Sequence, residues 1–159
     1  MKLFVITGTC GAGKSTAKDY LSIKLNSERY SPVDSDEVGL NWWDYAGTEK
    51  ESKYGEDTLK RAVKMAEGKN VIFVSCLNPM DYFQKTDVPE EIEATHFIAL
   101  CPSDEVIEQR LKARPADRGF TSDEIIKPHI EYNKWFAKNK SKFQLFIDNT
   151  EKLKKKLQR

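Results

Sequence analysis

Apolar residues in this chain fall into short runs, separated by segments with helical spacing. Lys2-Leu3-Phe4-Val5-Ile6-Thr7 reads as a buried strand. Asn70-Val71-Ile72-Phe73-Val74-Ser75-Cys76 is apolar almost throughout, as a central parallel strand covered on both faces requires. Thr95-His96-Phe97-Ile98-Ala99-Leu100 and Phe143-Gln144-Leu145-Phe146-Ile147 read as two more strands. Tyr30-Ser31-Pro32-Val33 is a short one ending at Asp34-Ser35-Asp36. Helical patterns lie between them: roughly residues 14–26, then residues 56–67, stopped by Gly68. A third is capped by Ser103 and runs to about Arg114, and a fourth is capped by Thr121 or Ser122 and runs to about Lys138. Asn78-Pro79 breaks the third strand, and a short helix is expected after Pro79. A basic helix is expected from Leu153 to Gln158. Alternating strands and helices predict a parallel sheet with right-handed crossovers and ligands beyond the strands' C-terminal ends.

A length of 159 residues suits one domain, 1–159. It is too short for a motor, a transporter ATPase or an AAA-type ring subunit with its extra helical domain. With 39% hydrophobic and 32% charged residues the composition is that of a soluble globular protein. The net charge of +1 supplies no global basic field for nucleic acid or membrane, and Lys152-Leu153-Lys154-Lys155-Lys156 reads as a solvated helix face. Cys10, Cys76 and Cys101 are too scattered for a disulfide framework or zinc site, and are expected to be small buried residues near strand ends. His96 and His129 have no metal-ligand neighbours at motif spacing and are read as structural or surface residues. The first strand begins at residue 2 and no run approaches a membrane span, so a cytoplasmic protein is expected.

The specific chemistry lies between the first strand and the first helix. Gly8-Thr9-Cys10-Gly11-Ala12-Gly13-Lys14-Ser15 fits the phosphate-loop pattern G-x-x-x-x-G-K-[ST]. Glycines let backbone amides close on an anion, and the helix N-terminus adds its positive end. Lys14 would reach the β- and γ-phosphates, the Ser15 hydroxyl would ligate Mg²⁺, and Thr16 would add a hydroxyl near the α-phosphate.

Two further groups face the same end of the predicted sheet. Asp34 and Asp36, two apart in an extended segment, point the same way unless Asp36 starts a helix as its N-cap. Arg110, Arg114 and Arg118 recur every four residues and form one face if the helix persists. Arginine's planar fork holds phosphate oxygens bidentately, although basic residues also favour helix ends for their dipole. Residues 36–84 hold Trp42, Trp43, Tyr45, Tyr54, Tyr82 and Phe83, which fit either a stacking surface or a small core. Arg61 and Lys64 share a helical face and suit an acidic acceptor or plain surface charge.

The phosphate loop, the Asp-x-Asp after strand two and the Arg-rich loop late in the chain resemble the small-molecule P-loop kinases, which include nucleoside and nucleotide kinases, shikimate kinase and gluconate kinase. The resemblance implies a three-layer α/β fold with sheet order 2-3-1-4-5. It implies an acceptor-binding segment at about 36–67 and a lid at about 114–122. It implies a donor site of Gly8, Thr9, Cys10, Gly11, Ala12, Gly13, Lys14, Ser15, Thr16 and Arg110. Asp34 or Asp36 would contact the accepting hydroxyl or a water on Mg²⁺, and Arg114 and Arg118 would close over the phosphates.

Val74-Ser75-Cys76 ends the third strand without the acid of a Walker-B motif. Shikimate and gluconate kinases likewise lack a typical Asp there, and Ser75-Cys76-Leu77-Asn78-Pro79 is weakly similar to the Ser-rich segment of gluconate-kinase-like enzymes. The Arg-rich acceptor signature of adenylate kinase is not evident. Asp36-Glu37-Val38-Gly39 matches the GTPase pattern D-x-x-G but comes too soon after Lys14, and no guanine motif follows. The expected function is ATP-dependent phosphoryl transfer, with Mg²⁺, to a small acceptor, foremost a nucleoside or nucleotide. The alternatives are a sugar acid or other metabolite, a nucleic-acid 5′-hydroxyl, or a non-catalytic ATP-binding regulator. A monomer or homodimer is expected.

Overall fold

The computed structural model describes residues 1–84 and 87–149; the basic helix expected from Leu153 lies outside the described residues. Five parallel strands, β1 (Lys2–Thr7), β2 (Tyr30–Asp34), β3 (Asn70–Ser75), β4 (Ala94–Leu100) and β5 (Leu145–Ile147), form one sheet in the order β2-β3-β1-β4-β5. Four helices connect them: α1 (Lys14–Lys24), α2 (Tyr54–Ala66), α3 (Asp104–Lys112) and α4 (Asp123–Lys138).

The strand register explains the two cores. Leu3 pairs with Val71 and Val5 with Phe73, and these odd positions face α2, burying Leu59, Ala62 and Ala66. Ile6, Ile72 and Val74 face the other way, onto Ala17 and Leu21 of α1 and Ile107 and Leu111 of α3. The period of two in the strands thus feeds both faces, which is why β1 and β3 are apolar without alternation. On α4, Ile126 joins the α1/α3 face while Phe136 packs with Ala99, Cys101 and Phe143. The Tyr132 hydroxyl donates to the Cys76 carbonyl at 2.9 Å, and Asn133 Nδ2 donates to the Pro102 carbonyl at 2.8 Å. Both acceptors lie just past strand ends, so α4 crosses the C-terminal edge of the sheet.

Several boundaries differ from the sequence reading. Among the described residues 80–84 no helix follows Pro79. Asn78 closes a turn instead, accepting from the amide of Met80 through Oδ1 at 2.9 Å and from those of Asp81 and Tyr82 through its carbonyl. Phe83 then takes a left-handed φ of 62° and buries its ring on Phe73, ending any helical path. α3 stops at Lys112, so the three arginines do not share a helical face. β5 is shorter than expected because Phe143 turns into the α4 cluster. Cys101 is buried as expected, but Cys10 is only half-buried and Cys76 is exposed. Among the described residues no helix is long and apolar enough to cross a membrane.

Candidate active site

The loop after β1 is shaped by close approach. A Cβ on Gly8 would lie 2.7 Å from the Leu100 carbonyl oxygen and 2.8 Å from the Ala12 Cβ, so only glycine fits. Gly13, the N-cap of α1, has a φ of 98°, reserved in practice for glycine. It offers no side-chain acceptor to the helix amides, and no acidic residue stands in the first turn. The positive end of α1 is therefore left for an anion.

Lys14 Nζ donates to the carbonyls of Gly8 at 2.8 Å and Thr9 at 2.7 Å. Burial lowers its pKa from the ordinary lysine value, and the nearby Arg114 charge adds, against weaker opposing pulls from Cys76, Cys10 and Asp34. From α3, Arg110 Nη1 donates to the Gly11 carbonyl at 3.0 Å.

Asp34 ends β2, where pairing of Asp34 with Val74 brings it beside the loop. Its Oδ1 accepts the Asp36 amide at 3.0 Å and caps the short turn Ser35–Glu37. The capping role considered for Asp36 thus belongs to Asp34, and the turn replaces the extended geometry. Burial pushes the Asp34 carboxyl up from its ordinary value; the Asp36 amide and Lys14 oppose this, while the charges of Asp36 and Glu37 add to it. Glu37 itself pairs with Lys18, tying the turn to α1.

One cavity of about 440 Å³ gathers these groups: Lys14, Ser15 and Thr16, then Asp34 and Asp36, then Arg110, Arg114 and Arg118. Although α3 ends before them, Arg114 and Arg118 still reach the cleft. Arg118 lies in the turn Ala116–Arg118, and Arg114 rests over the Phe120 ring at 5.1 Å. A smaller cavity of about 260 Å³ adjoins it past Arg110, lined by Ala12, Val106 and Ile147. A wider groove of about 700 Å³ along α4 and β5 contains no phosphate-loop residue.

The donor set fits a hard divalent cation. Ser15 supplies a hydroxyl at the start of α1, with two carboxylates on the same cavity. Among the described residues no group of three or more His, Cys, Asp or Glu side chains forms a metal cage. Mg²⁺, which keeps several waters and shares substrate phosphates, needs no such cage.

Segment 36–67 is built around aromatic residues. Tyr54 meets Trp42 and Tyr45 edge-on, and the Tyr45 hydroxyl donates to Asp57 Oδ2 at 2.8 Å. Tyr45, Tyr54 and Phe83 are buried, so the core reading holds for them, whereas Trp43 is 79% exposed. Arg61 is an exposed charge, and its Nη1 also donates to the Val38 carbonyl at 3.0 Å.

Sequence reasoning missed His129. It is the largest cause of a Cys10 thiol pKa below the usual value, with Lys14 and Arg114 adding and burial opposing. The available signal was its place three residues after Ile126 and four before Asn133, both buried, on the inward face of α4. His96 is structural, stacked on Phe4 with ring centroids 5.0 Å apart.

A phosphate loop between β1 and α1, the 2-3-1-4-5 order, and an acid pair after β2 together define a small-molecule P-loop kinase fold. The chain belongs to the AAA domain family, whose model matches residues 5–127, from β1 into α4. Among the described residues no separate helical domain accompanies this core. Solved structures share the fold. Shikimate kinase from Acinetobacter baumannii in complex with shikimate superposes with a TM-score of 0.59 at 16% identity, covering 94% of this chain and 84% of that one. A sugar kinase from Janibacter sp. HTCC2649 gives 0.56 at 14% identity, covering 83% and 77%. Deoxyadenosine kinase from M. mycoides with bound dATP gives 0.52 at 21% identity, covering 95% and 92%. No curated protein sequence matches the chain significantly.

Proposed function

We propose that this protein transfers the γ-phosphoryl group of ATP to a small hydroxyl or phosphate acceptor, foremost a nucleoside or nucleotide. The observation that carries the reading is the single cavity in which the phosphate loop meets a buried-side carboxylate and three arginines. The loop amides and Lys14 hold the triphosphate, and the adjoining cavity at Ala12, Val106 and Ile147 takes the base. Ser15, with Asp34 or Asp36, would hold Mg²⁺, which would neutralise phosphate charge when bound. Asp34 orients the acceptor hydroxyl and takes its proton; its raised pKa makes it a better base than an exposed carboxylate. Arg114 and Arg118, in a lid at about 114–122, stabilise the charge spreading over the moving phosphoryl group. Residues 36–67 shape the acceptor site. Exposed Trp43 and the Trp42–Tyr54 pair supply flat apolar surface there, which suits a base or sugar face. Similar structures are kinases of this size class, and one holds dATP.

The test is ADP formation from Mg-ATP over a panel of nucleosides, nucleoside monophosphates, shikimate-like and sugar acids, and a 5′-hydroxyl oligonucleotide. Turnover that rises with a nucleoside or nucleotide supports the reading. Turnover only with a sugar acid or oligonucleotide replaces the acceptor class. A flat panel despite ATP binding favours a nucleotide-sensing protein.

A further inference from the structure

A buried serine closes β3, at the place where the acid of a Walker-B motif is missing. Ser75 is 2% exposed and lines the phosphate cavity. Strand order sets its neighbours. β3 lies between β2 and β1, and Ser75 pairs with Thr7, the last residue before the phosphate loop. On the other side Val74 pairs with Asp34, so the end of β3 stands between the loop and that carboxylate. A group passing from the phosphate loop to an acceptor at Asp34 crosses in front of it. The Ser75 oxygen accepts the Leu77 amide at 3.1 Å. A serine hydroxyl has one proton and two lone pairs. Among the described residues no acceptor takes the Ser75 proton. The turn that presents this hydroxyl is also pinned from two other elements. Fully buried Thr7 donates through Oγ1 to the Leu77 carbonyl at 3.1 Å, and Tyr132 of α4 donates to the Cys76 carbonyl at 2.9 Å. The Tyr132 ring packs on Phe136, centroids 4.7 Å apart. Burial pushes its phenol well above the usual value, so it stays a donor through the neutral range.

We propose that Ser75 is a further catalytic residue, whose hydroxyl donates to an oxygen of the terminal phosphoryl group, and that Tyr132 is the positioning residue that holds its turn in place. The proposal rests on the kinase reading, which supplies that phosphoryl group. The chemistry of the position favours a hydroxyl. A carboxylate here would repel the phosphoryl charge unless a cation lay between them, whereas an O–H donor attracts it. A donor fixed by the turn needs no reorganisation as charge develops on the moving group. Ser75 keeps its proton throughout and forms no covalent bond; the acceptor's proton goes to Asp34. The terminal phosphoryl group is what ATP has and ADP lacks. The contact therefore strengthens binding of ATP and leaves ADP unaffected, so the product is released more readily than the substrate.

The experiment is calorimetric titration of the full chain with ATP and with ADP, each with Mg²⁺ present and with the metal chelated. Ser75→Ala is expected to weaken ATP binding about tenfold, the loss of one hydrogen bond to a charged group, and to leave ADP within about twofold. The same selective loss is expected with the metal chelated. Tyr132→Phe removes one oxygen and keeps the ring; it is expected to weaken ATP severalfold and again to spare ADP. The double variant is expected to lose little more than Ser75→Ala alone, because Tyr132 acts through Ser75. Equal losses for ATP and ADP, or wild-type affinity for both, in a folded Ser75→Ala overturn the contact. A loss confined to Mg-ATP places the hydroxyl on a water of the metal and overturns the direct contact. Additive losses in the double variant overturn the positioning role. Where Ser75→Ala fails to fold, Tyr132→Phe carries the same comparison, and equal losses for ATP and ADP overturn the proposal. A wild type that binds neither nucleotide overturns the kinase reading and this proposal with it. ATP-selective losses without turnover of any acceptor count against the kinase reading and leave the contact intact.

Discussion

Arg110 Nη1 donates to the Gly11 carbonyl at 3.0 Å, linking residues 99 apart in sequence. Through this bond the last turn of α3 holds the phosphate loop from outside, while the guanidinium lines both the phosphate cavity and its smaller neighbour. An arginine placed so serves the loop's shape and the ligand together.

Arg110→Ala is therefore expected to raise KM for ATP about tenfold while changing kcat less, since the lost contact acts on bound ATP in ground and transition states alike. Arg110→Lys keeps the charge without the fork and recovers only part of the affinity. Steady-state kinetics on both variants check this; an unchanged KM in Arg110→Ala contradicts it.

Asp34→Asn is expected to lower kcat/KM by about 10²–10⁴, the range for loss of a positioned base. The same change is expected to raise the melting temperature by about a degree or two at neutral pH. The sign follows from burial. The folded-state pKa of Asp34 is raised, so ionisation costs free energy in the folded protein. That cost is absent below the unfolded value near 4 and complete above the folded one. The stability gain of the variant therefore vanishes in acid. In the wild type, activity falls as pH drops through a limb lying above the ordinary carboxylate value. A lower melting temperature for Asp34→Asn at neutral pH contradicts the electrostatic account.

The legible part of this molecule is the part in which chemistry restricts residue type locally. The phosphate loop needs glycine where a Cβ would strike Leu100 or where φ is positive, and those needs are written in consecutive residues. β1 and β3 were legible because both faces are buried. Asp34 and Asp36 were found as a pair, but which one caps the turn depends on a single amide hydrogen bond. The arginines were found in number, yet the end of α3 before Ala113 removed the helical face that the spacing implied. Asn78 looked like the stop before a helix because Pro commonly opens one, and its own side chain made a turn instead. The influence of His129 on the Cys10 thiol comes from an element far along the chain, and no local spacing encodes it.

Gly8→Ala places a methyl 2.7 Å from the Leu100 carbonyl and 2.8 Å from the Ala12 side chain, both on fixed backbone. It is expected to destabilise the fold by about 1–3 kcal/mol, and to abolish detectable ATP binding by displacing the loop. Chemical denaturation and calorimetric titration check the two effects. Wild-type affinity in the variant contradicts the assigned loop geometry.

Phe120→Ala removes the ring on which Arg114 rests. The expected result is a kcat reduced about tenfold, with KM for ATP little changed, because Arg114 is assigned to the moving phosphoryl group rather than to ATP in its ground state. Arg114→Ala should give a similar loss, and the double variant should lose little more than Arg114→Ala alone, since the two act as a unit. Fully additive losses contradict the link.

The central claim is phosphoryl transfer by this cleft, and Lys14 is its most direct probe. ATP labelled in the γ-phosphate is incubated with Mg²⁺ and the nucleoside and nucleotide acceptors, using wild type and Lys14→Ala, and the labelled acceptor is separated and counted. The account predicts label on an acceptor with wild type, and a loss of at least about a hundredfold with Lys14→Ala, while its circular dichroism and melting curve stay close to wild type. Near-full transfer by a folded Lys14→Ala would contradict the account.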